Sequence, residues 1–307
     1  MMNLTIYPFI THKKAESLDD CQDALEVNKE HSRYAVADGA TRSFFPKCWA
    51  ELLVKHFCER SDLFLSGENW KEWLVPIQEE WYKRVEKRVK ARNQFYLTNS
   101  FNAREPAVAT FIGLEIDKAE GRWQAVIIGD SCLFHKSHSG FKSHLIERSE
   151  DFTNHPEAFA SFPERNHYNP KFVDGEIQSG DMFILATDAL AKWIVQHEET
   201  DQVEEALNQF KGVKTDEQFY SFVDLARDNE NIRLVNDDVT LMLISIEETE
   251  LSEAEEDAEE LSLEVQTSED VESRVNALAF VFWVILAGIF GFVVGAIILV
   301  LILLNKN

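Results

Sequence analysis

The sequence predicts an α+β fold with mostly antiparallel sheets, followed by one C-terminal transmembrane helix. Short apolar runs that end at turn residues recur through the first 246 residues, and several neighbouring runs are joined by a tight turn. Helical periodicity occurs in separate stretches, without the regular strand–helix–strand alternation that is typical of a parallel sheet. Close to the end of the sequence, residues 278–304 contain no charged side chain.

The strands are predicted from apolar runs bounded by turn residues. The clearest runs cover residues 32–37, 107–116, 123–128, 182–186 and 239–246. A turn around residues 118–121 joins the second run to the third. Residues 132–136 and 142–146 are expected to form a further hairpin.

Helices are predicted at residues 49–58, at residues 69–90 and from about residue 189 onward, because apolar side chains recur there at helical spacing. Residues 93–106 are expected to form a loop. The stretch 151–174 has scattered Pro, Asn and His without a clear period, so an irregular surface insert is expected there.

Composition and charge exclude several classes of protein. The formal net charge is −24, which argues against nucleic acid as a partner because phosphate backbones are bound by basic patches. The four cysteines, at positions 21, 48, 58 and 132, form no CxxC pair. They are expected to be reduced thiols in a cytosolic domain rather than zinc ligands or a redox pair.

The C-terminal part of the sequence predicts a membrane anchor. Residues 278–304 form 27 positions without a charge, and a bilayer core is spanned by about 20 apolar helical residues. We therefore expect a tail-anchored protein whose body, residues 1–246, lies on the cytoplasmic side. An acidic linker, residues 247–277, joins the two; its first 26 residues hold 13 acids and no Lys or Arg. Small residues repeat every fourth position at Ala287, Gly291 and Gly295, a spacing that favours helix–helix self-association in membranes.

Four aspartates lie where predicted strands begin or end, and they are the candidate functional residues. Asp38 follows YAVA, Asp188 follows FILAT, and Asp237 precedes VTLMLISI, with Asp23 further upstream. Strand ends can bring such side chains to one edge of a sheet. Clustered carboxylates repel one another unless cations compensate them, and hard divalent ions prefer oxygen ligands. The pattern therefore indicates a site for Mg²⁺ or Mn²⁺.

The order of five motifs makes this interpretation specific. The motifs are CQDA at 21–24, VADGAT at 36–41, VIIGDS at 126–131, LATDAL at 185–190 and NDDVTLML at 236–243. Together they resemble the protein phosphatase 2C family of metal-dependent serine/threonine phosphatases, and in particular its divergent bacterial-type branch. The resemblance covers residues 5–246. It implies a β-sandwich of two antiparallel sheets flanked by helices, with two metal ions at one end.

The resemblance also implies a role for each motif residue. Asp38 would bridge the two metal ions, and the carbonyl oxygen of Gly39 would bind one of them. Asp188 and Asp237 would bind the other ion, and Asp23 would hold a water molecule of the metal site. Asp130 is a candidate ligand for an additional, third ion.

The implied reaction is direct hydrolysis of protein phosphoserine or phosphothreonine by a water molecule that the two metal ions activate, without a phosphoenzyme. Two departures from the family pattern concern other steps. Some relatives have His after the DG motif, proposed to help protonate the leaving group, whereas this chain has Ala40. Relatives often have an Arg before the first motif to bind phosphate; here Lys13, Lys14 and Arg42 are the candidates.

The departures leave an alternative open. The same fold could be a catalytically weak or inactive pseudophosphatase that acts as a membrane-tethered scaffold and binds phosphoproteins. The retained aspartates favour the active enzyme, because a cluster of carboxylates is costly without bound cations. In either case phosphorylated proteins in signalling at a membrane surface are the expected partners.

Overall fold

The computed structural model describes residues 2–59 and 70–248. The predicted transmembrane helix at residues 278–304 and the linker from residue 249 onward lie outside the described residues. Within the described ranges, no helix is both long and apolar enough to cross a membrane. The last strand continues to Glu248, so the first two residues of the predicted acidic linker belong to the sheet.

The described chain contains eleven β-strands and six α-helices. The strands are β1 (Met2–Thr11), β2 (Asp23–Asn28), β3 (Arg33–Gly39), β4 (Val108–Asp117), β5 (Arg122–Ile128), β6 (Cys132–Ser137), β7 (Gly140–Ser143), β8 (Phe159–Ala160), β9 (Lys171–Glu176), β10 (Met182–Ala186) and β11 (Val239–Glu248). The helices are α1 (Pro46–Glu59), α2 (Trp70–Arg92), α3 (Phe95–Asn102), α4 (Asp188–Glu199), α5 (Val203–Gly212) and α6 (Asp216–Arg227).

The strands form two antiparallel sheets. One sheet has the order β1-β11-β10-β6-β7. The other has the order β2-β3-β4-β5-β9, and the short strand β8 pairs with β4 beyond the end of β5. All strand pairs in the described ranges are antiparallel, which confirms the predicted α+β class.

The central strands are buried on both faces because each sheet packs against the other sheet on one side and against helices on the opposite side. Successive strand residues point to opposite faces. In β3, for example, Tyr34 and Val36 belong to the core between the sheets, whereas Ala35 and Ala37 face the helical side. In β11, Leu241 faces the helical side, and Met242 belongs to the core between the sheets. The result is a four-layer sandwich with three hydrophobic layers.

The two outer layers differ in their helices. Helices α1 and α2 cover the sheet that contains β3 and β4, and the fully buried Trp49 and Trp81 fill that layer. Helices α4, α5 and α6 cover the other sheet. Helix α6 begins with a capping box, in which the Thr215 hydroxyl accepts from the Gln218 backbone N–H and Gln218 caps Thr215 in return.

Several local predictions were wrong. The loop expected at residues 93–106 contains helix α3, and the insert at 151–174 contains strand β8 and the start of strand β9. The hairpin predicted from residues 132–136 and 142–146 is present, but its second strand, β7, covers Gly140–Ser143 and so lies two to three residues earlier than predicted. The four cysteines, in contrast, are free and buried, in agreement with the expectation of reduced thiols.

A buried imidazole lies beside Trp123, which belongs to the core between the sheets. The ring of His144 lies 5.0 Å from the ring of Trp123, and its Nε2 atom has no hydrogen-bond partner. Burial lowers the pKa of His144 to about 4. Below the ordinary histidine pKa the unfolded chain therefore takes up a proton that the folded chain does not.

We expect this difference to make the folded state less stable as the pH falls from 7 to 5. The proton bound by the unfolded chain at His144 should lower the free energy of unfolding by about 1–2 kcal/mol over that range. In His144→Asn this part of the pH dependence should be absent, as measured by urea unfolding at each pH. His167→Asn, which removes an exposed imidazole, is the control. Equal pH dependence in wild type and His144→Asn would contradict the prediction.

Candidate active site

Four of the predicted aspartates line one open cavity of about 860 Å³ at one end of the sandwich: Asp38, Asp130, Asp188 and Asp237. Each lies at the end of a strand or next to one. Asp38 is the penultimate residue of β3, and Asp130 follows β5. Asp188 begins α4 directly after β10, and Asp237 precedes β11. Both sheets therefore contribute carboxylates to the same cavity.

Asp23 lies beside this group and connects the two sheets. It starts β2 and is paired with Asp38 across the β2–β3 ladder. Its Oδ2 atom accepts hydrogen bonds from the hydroxyls of Thr187, at 2.9 Å, and Thr240, at 2.8 Å. Both threonines belong to the opposite sheet or its adjoining turn, and both are fully buried. The carboxylate is thus held in place from two sides.

The adjacent residues Asp237 and Asp238 have different environments. Asp238 is buried, and its two oxygens accept from the backbone N–H groups of Lys13, at 3.1 Å, and Gln22, at 2.8 Å. Asp237 instead lines the cavity. Asp238 therefore joins the loops around the cavity, and Asp237, the residue that the motif indicates as a metal ligand, is the one that faces it.

Burial and mutual repulsion disfavour the charged form of these carboxyl groups. Burial raises the pKa of Asp130 to about 7, and the charge of Asp188 adds to the effect. Burial and the charge of Asp237 raise the pKa of Asp188 to about 6. Burial, together with the charge of Asp238, raises the pKa of Asp23 to about 8. The pKa of Asp38 is raised well above its ordinary value by burial and by the charges of Asp23 and Asp188.

The three predicted phosphate-binding cations lie at different distances from the cavity. The Nζ atom of Lys13 lies 2.8 Å from Oδ1 of Asp237 and 3.3 Å from the Thr41 hydroxyl. Arg42 is exposed and lines the cavity. The Nζ atom of Lys14 lies 2.9 Å from Oδ1 of Asp228, at the end of α6, so this ammonium group is engaged away from the cavity.

Lys13 supplies part of the positive charge that the carboxylates need. Burial lowers its pKa, but the hydrogen bond to Asp237 and the charges of Asp237 and Asp238 outweigh burial, and the pKa of Lys13 is raised overall. The lysine side chain is therefore a fixed cation beside Asp237.

The donor set fits hard divalent cations. In the described ranges, no group of three or more His, Cys, Asp or Glu side chains is already assembled in coordinating geometry. However, Oδ1 of Asp130 is buried without any hydrogen-bond partner, although a buried acceptor of this kind is normally satisfied. An unpaired carboxylate oxygen among raised-pKa carboxyl groups is the environment that a cation would stabilise. Asp38, Asp188, Asp237 and the carbonyl of Gly39 are oxygen ligands suited to Mg²⁺ or Mn²⁺.

Glycine at position 129 permits a close approach next to Asp130. Its φ is +100°, and a Cβ atom there would lie 2.4 Å from Cγ2 of Thr110 and 2.8 Å from the carbonyl oxygen of Glu157. Only a residue without a side chain fits between these groups. The insert that contains Glu157 is therefore packed directly against the loop that carries Asp130.

Sequence reasoning missed the part of the cavity wall that this insert forms. Residues of the insert that line the cavity are Thr153, Asn154, His155, Pro156 and Ala158. The stretch was expected to be an irregular surface segment because it has no periodicity. Its concentration of polar residues just before the buried Phe159 and Ala160 was the available signal.

The comparison with protein families identifies the chain. The family model of protein phosphatase 2C matches residues 12–226, which is most of the described chain. The chain belongs to the protein phosphatase 2C family and is a protein serine/threonine phosphatase of that family. The sequence matches none of the curated proteins with which it was compared.

Solved structures support the fold. PppA, a key regulatory component of T6SS in Pseudomonas aeruginosa, is 14% identical, with a TM-score of 0.52 over 80% of this chain and 97% of that one. A bacterial serine phosphatase is 12% identical, with a TM-score of 0.51 over 82% and 100%. The photosystem II phosphatase PBCP is 15% identical, with a TM-score of 0.50 over 79% and 98%. At these identities the similarity establishes the fold alone.

The unpaired, buried charge at Asp130 leads to a stability prediction. In the presence of EDTA at pH 8, Asp130→Asn should raise the free energy of unfolding by about 1–3 kcal/mol, because the variant no longer buries an uncompensated carboxylate. The measurement is urea unfolding followed by tryptophan fluorescence. Asp174→Asn, which removes a carboxylate of the exposed strand β9, is the matched control and should have little effect. A less stable Asp130→Asn variant would contradict the prediction.

Proposed function

We propose that this protein hydrolyses phosphoserine and phosphothreonine in proteins, that it uses two divalent cations, Mg²⁺ or Mn²⁺, and that it acts at a membrane surface. Membership of the protein phosphatase 2C family supports the reaction class. The remainder of the proposal is supported by the composition of the cavity and by the sequence beyond residue 248.

The observation that carries the proposal is the convergence of carboxylates on one open cavity. Asp38, Asp188 and Asp237 come from different strand ends of both sheets, and Asp130 joins them with an unpaired oxygen. The single positive charge of Lys13 is too small to balance the negative charges of these carboxylates. Divalent cations held by these residues would supply the missing charge and would favour the ionisation of water.

The residues of the chain would then have separate tasks. Asp38, Asp188, Asp237 and the Gly39 carbonyl hold the two cations, and Asp130 is a ligand of an additional site. Asp23, fixed by Thr187 and Thr240, would hold a water molecule of the metal site. The cavity of about 860 Å³ is wide enough for a phosphorylated side chain.

Lys13 and Arg42 are the cations proposed to bind the phosphate group. Both lie at the carboxylate cluster, whereas Lys14 faces the end of α6. Arg42 can offer two parallel N–H groups to phosphate, and Lys13 acts as a point charge. Together they favour a dianionic phosphate monoester over an uncharged ester.

The first test is metal-dependent turnover by the full chain. With Mn²⁺ or Mg²⁺ it should release phosphate from a phosphothreonine peptide, and EDTA should abolish the release. Asp38→Asn should lower kcat/KM by at least about 100-fold, because the charge between the two proposed cations is lost.

The control variant for this test is Asp174→Asn, which removes the same charge from an exposed strand and should keep wild-type activity. A folded wild-type chain that releases no phosphate with either metal would contradict the proposal. Retained binding of phosphopeptide in that case would favour the membrane-tethered pseudophosphatase.

The membrane part of the proposal is supported by residues 278–304, which have the length and apolar composition of a single-pass C-terminal anchor. The small residues Ala287, Gly291 and Gly295 are proposed to pair two such helices. The phosphatase body would then face the cytoplasm and act on phosphorylated proteins close to the bilayer.

Cell fractionation tests the anchor. The full chain should sediment with membranes, resist extraction by high salt and alkali, and be released by detergent. A chain that ends at Glu248 should remain in the supernatant, because it lacks the uncharged stretch. Protease added to intact cells should leave the body uncut if it is cytoplasmic. Full chain found in the supernatant would contradict the anchor.

A further inference from the structure

Hydrolysis of a phosphorylated serine or threonine leaves an alkoxide, which is a poor leaving group unless it receives a proton as the P–O bond breaks. The position after Asp38-Gly39 is Ala40, which has no proton to give. The inference below rests on the proposed function and asks which group of this chain supplies that proton.

The insert of residues 151–174 brings one imidazole to the cavity. His155 lines the same cavity as Asp38, Asp188 and Asp237, and it is exposed to solvent there. Among the described residues it is the only histidine on the cavity wall. His155 is therefore part of the wall around the space in which a phosphorylated side chain would lie.

Other cavity groups do not suit the task. The titratable or charged residues that line the cavity besides His155 are Asp38, Arg42, Glu105, Asp130, Asp188 and Asp237. The aspartates are proposed cation ligands, and Glu105 is an exposed carboxyl group on the cavity rim. Arg42 does not give up its proton in proteins. An imidazole is the side chain that carries a transferable proton near neutral pH.

The chain is anchored four to five residues after His155. Strand β8 begins four residues later, and Phe159 and Ala160 are buried. The carbonyl oxygen of Phe159 accepts from the Trp49 indole N–H at 2.8 Å, and that of Ala160 accepts from Gln78 Nε2 at 3.0 Å. Asn166 completes the anchor, since its amide oxygen accepts from the Ala160 N–H at 2.9 Å.

Strand register places this anchor close to the carboxylates. Ala109 of β4 pairs with Gly39 on one side and with Phe159 on the other. Two strand spacings, about 10 Å, therefore separate Phe159 from Gly39. On the same side, the Glu157 carbonyl packs against Gly129, next to Asp130. His155 therefore lies two residues before the Glu157 contact with Gly129 and four residues before the strand that is anchored near Gly39.

We propose that His155 is the general acid of the reaction. The P–O bond to the leaving oxygen breaks, its electron pair remains on that oxygen, and the imidazolium of His155 transfers a proton to it. Water adds its oxygen to phosphorus, and a proton released from that water returns His155 to the imidazolium form. The products are the free hydroxyl side chain and inorganic phosphate.

Leaving-group dependence tests this assignment. With the full chain and Mn²⁺, His155→Ala should lower kcat on a phosphothreonine peptide by about 100-fold, the usual effect of losing a general acid. On p-nitrophenyl phosphate, whose phenolate leaves without a proton, kcat should stay within about twofold of wild type. Mn²⁺ binding by calorimetry should be unchanged. His167→Ala, which removes an exposed histidine of the same insert outside the cavity wall, should change neither substrate.

Three results would overturn the assignment. They are an equal loss on both substrates, a higher KM for the peptide with unchanged kcat, and unchanged kinetics on both. The first would indicate a general structural effect, the second a role in substrate binding, and the third no role. A wild-type chain that is inactive on both substrates with Mn²⁺ would overturn the proposed function itself, and this assignment with it.

Discussion

Repulsion among buried carboxylates is the constraint on which the functional end of this molecule depends. Asp23 and Asp130 are buried, Asp38 and Asp188 are partly buried at the cavity, and each of the four has a raised pKa. Bringing such groups together opposes folding unless cations or hydrogen bonds compensate. The rest of the sandwich supplies the free energy that holds them there, because its three hydrophobic layers bury the strands that carry them on both faces.

Hydrogen bonds and ion pairs within the chain compensate some of these aspartates more completely than others. Asp23 has two hydroxyl donors, and Asp238 has two backbone N–H donors. The hydrogen bonds of these two carboxylates join β2, β11 and the loop around Lys13. Asp130 keeps an unpaired oxygen, and the cavity-facing Asp237 depends on Lys13 and the Asp238 backbone N–H. The hydrogen bonds of Asp23 Oδ2 and of Asp238 therefore hold the two sheets and the loop together, and the unpaired oxygen of Asp130 remains available to a cation.

The sequence allowed prediction of the features that have strong local patterns. The central strands could be found because burial on both faces makes them continuous apolar runs, as in residues 182–186. Strand β1 was missed because Pro8 interrupts its pattern; at the edge of a sheet, as here, a missing N–H is tolerated. Helix α6 was also missed, although the capping-box residues Thr215 and Gln218 could have indicated its start.

Of the site, the aspartates could be predicted from motif order, whereas their shared cavity required the register of both sheets.

The contribution of the insert could not be predicted, because it depends on contacts between residues that are distant in sequence. No local pattern around His155 indicates that Phe159 will pair with Ala109 or that the Trp49 indole will hold its carbonyl. These contacts bring a polar segment without secondary structure over the edge of the carboxylate cluster. The motif strands bring carboxylates to one cavity, and the insert adds the proposed proton donor, which the strands lack. A phosphatase of this fold can thus assemble its leaving-group chemistry from a different part of the chain than its cation site, provided that a glycine such as Gly129 lets the two segments approach closely.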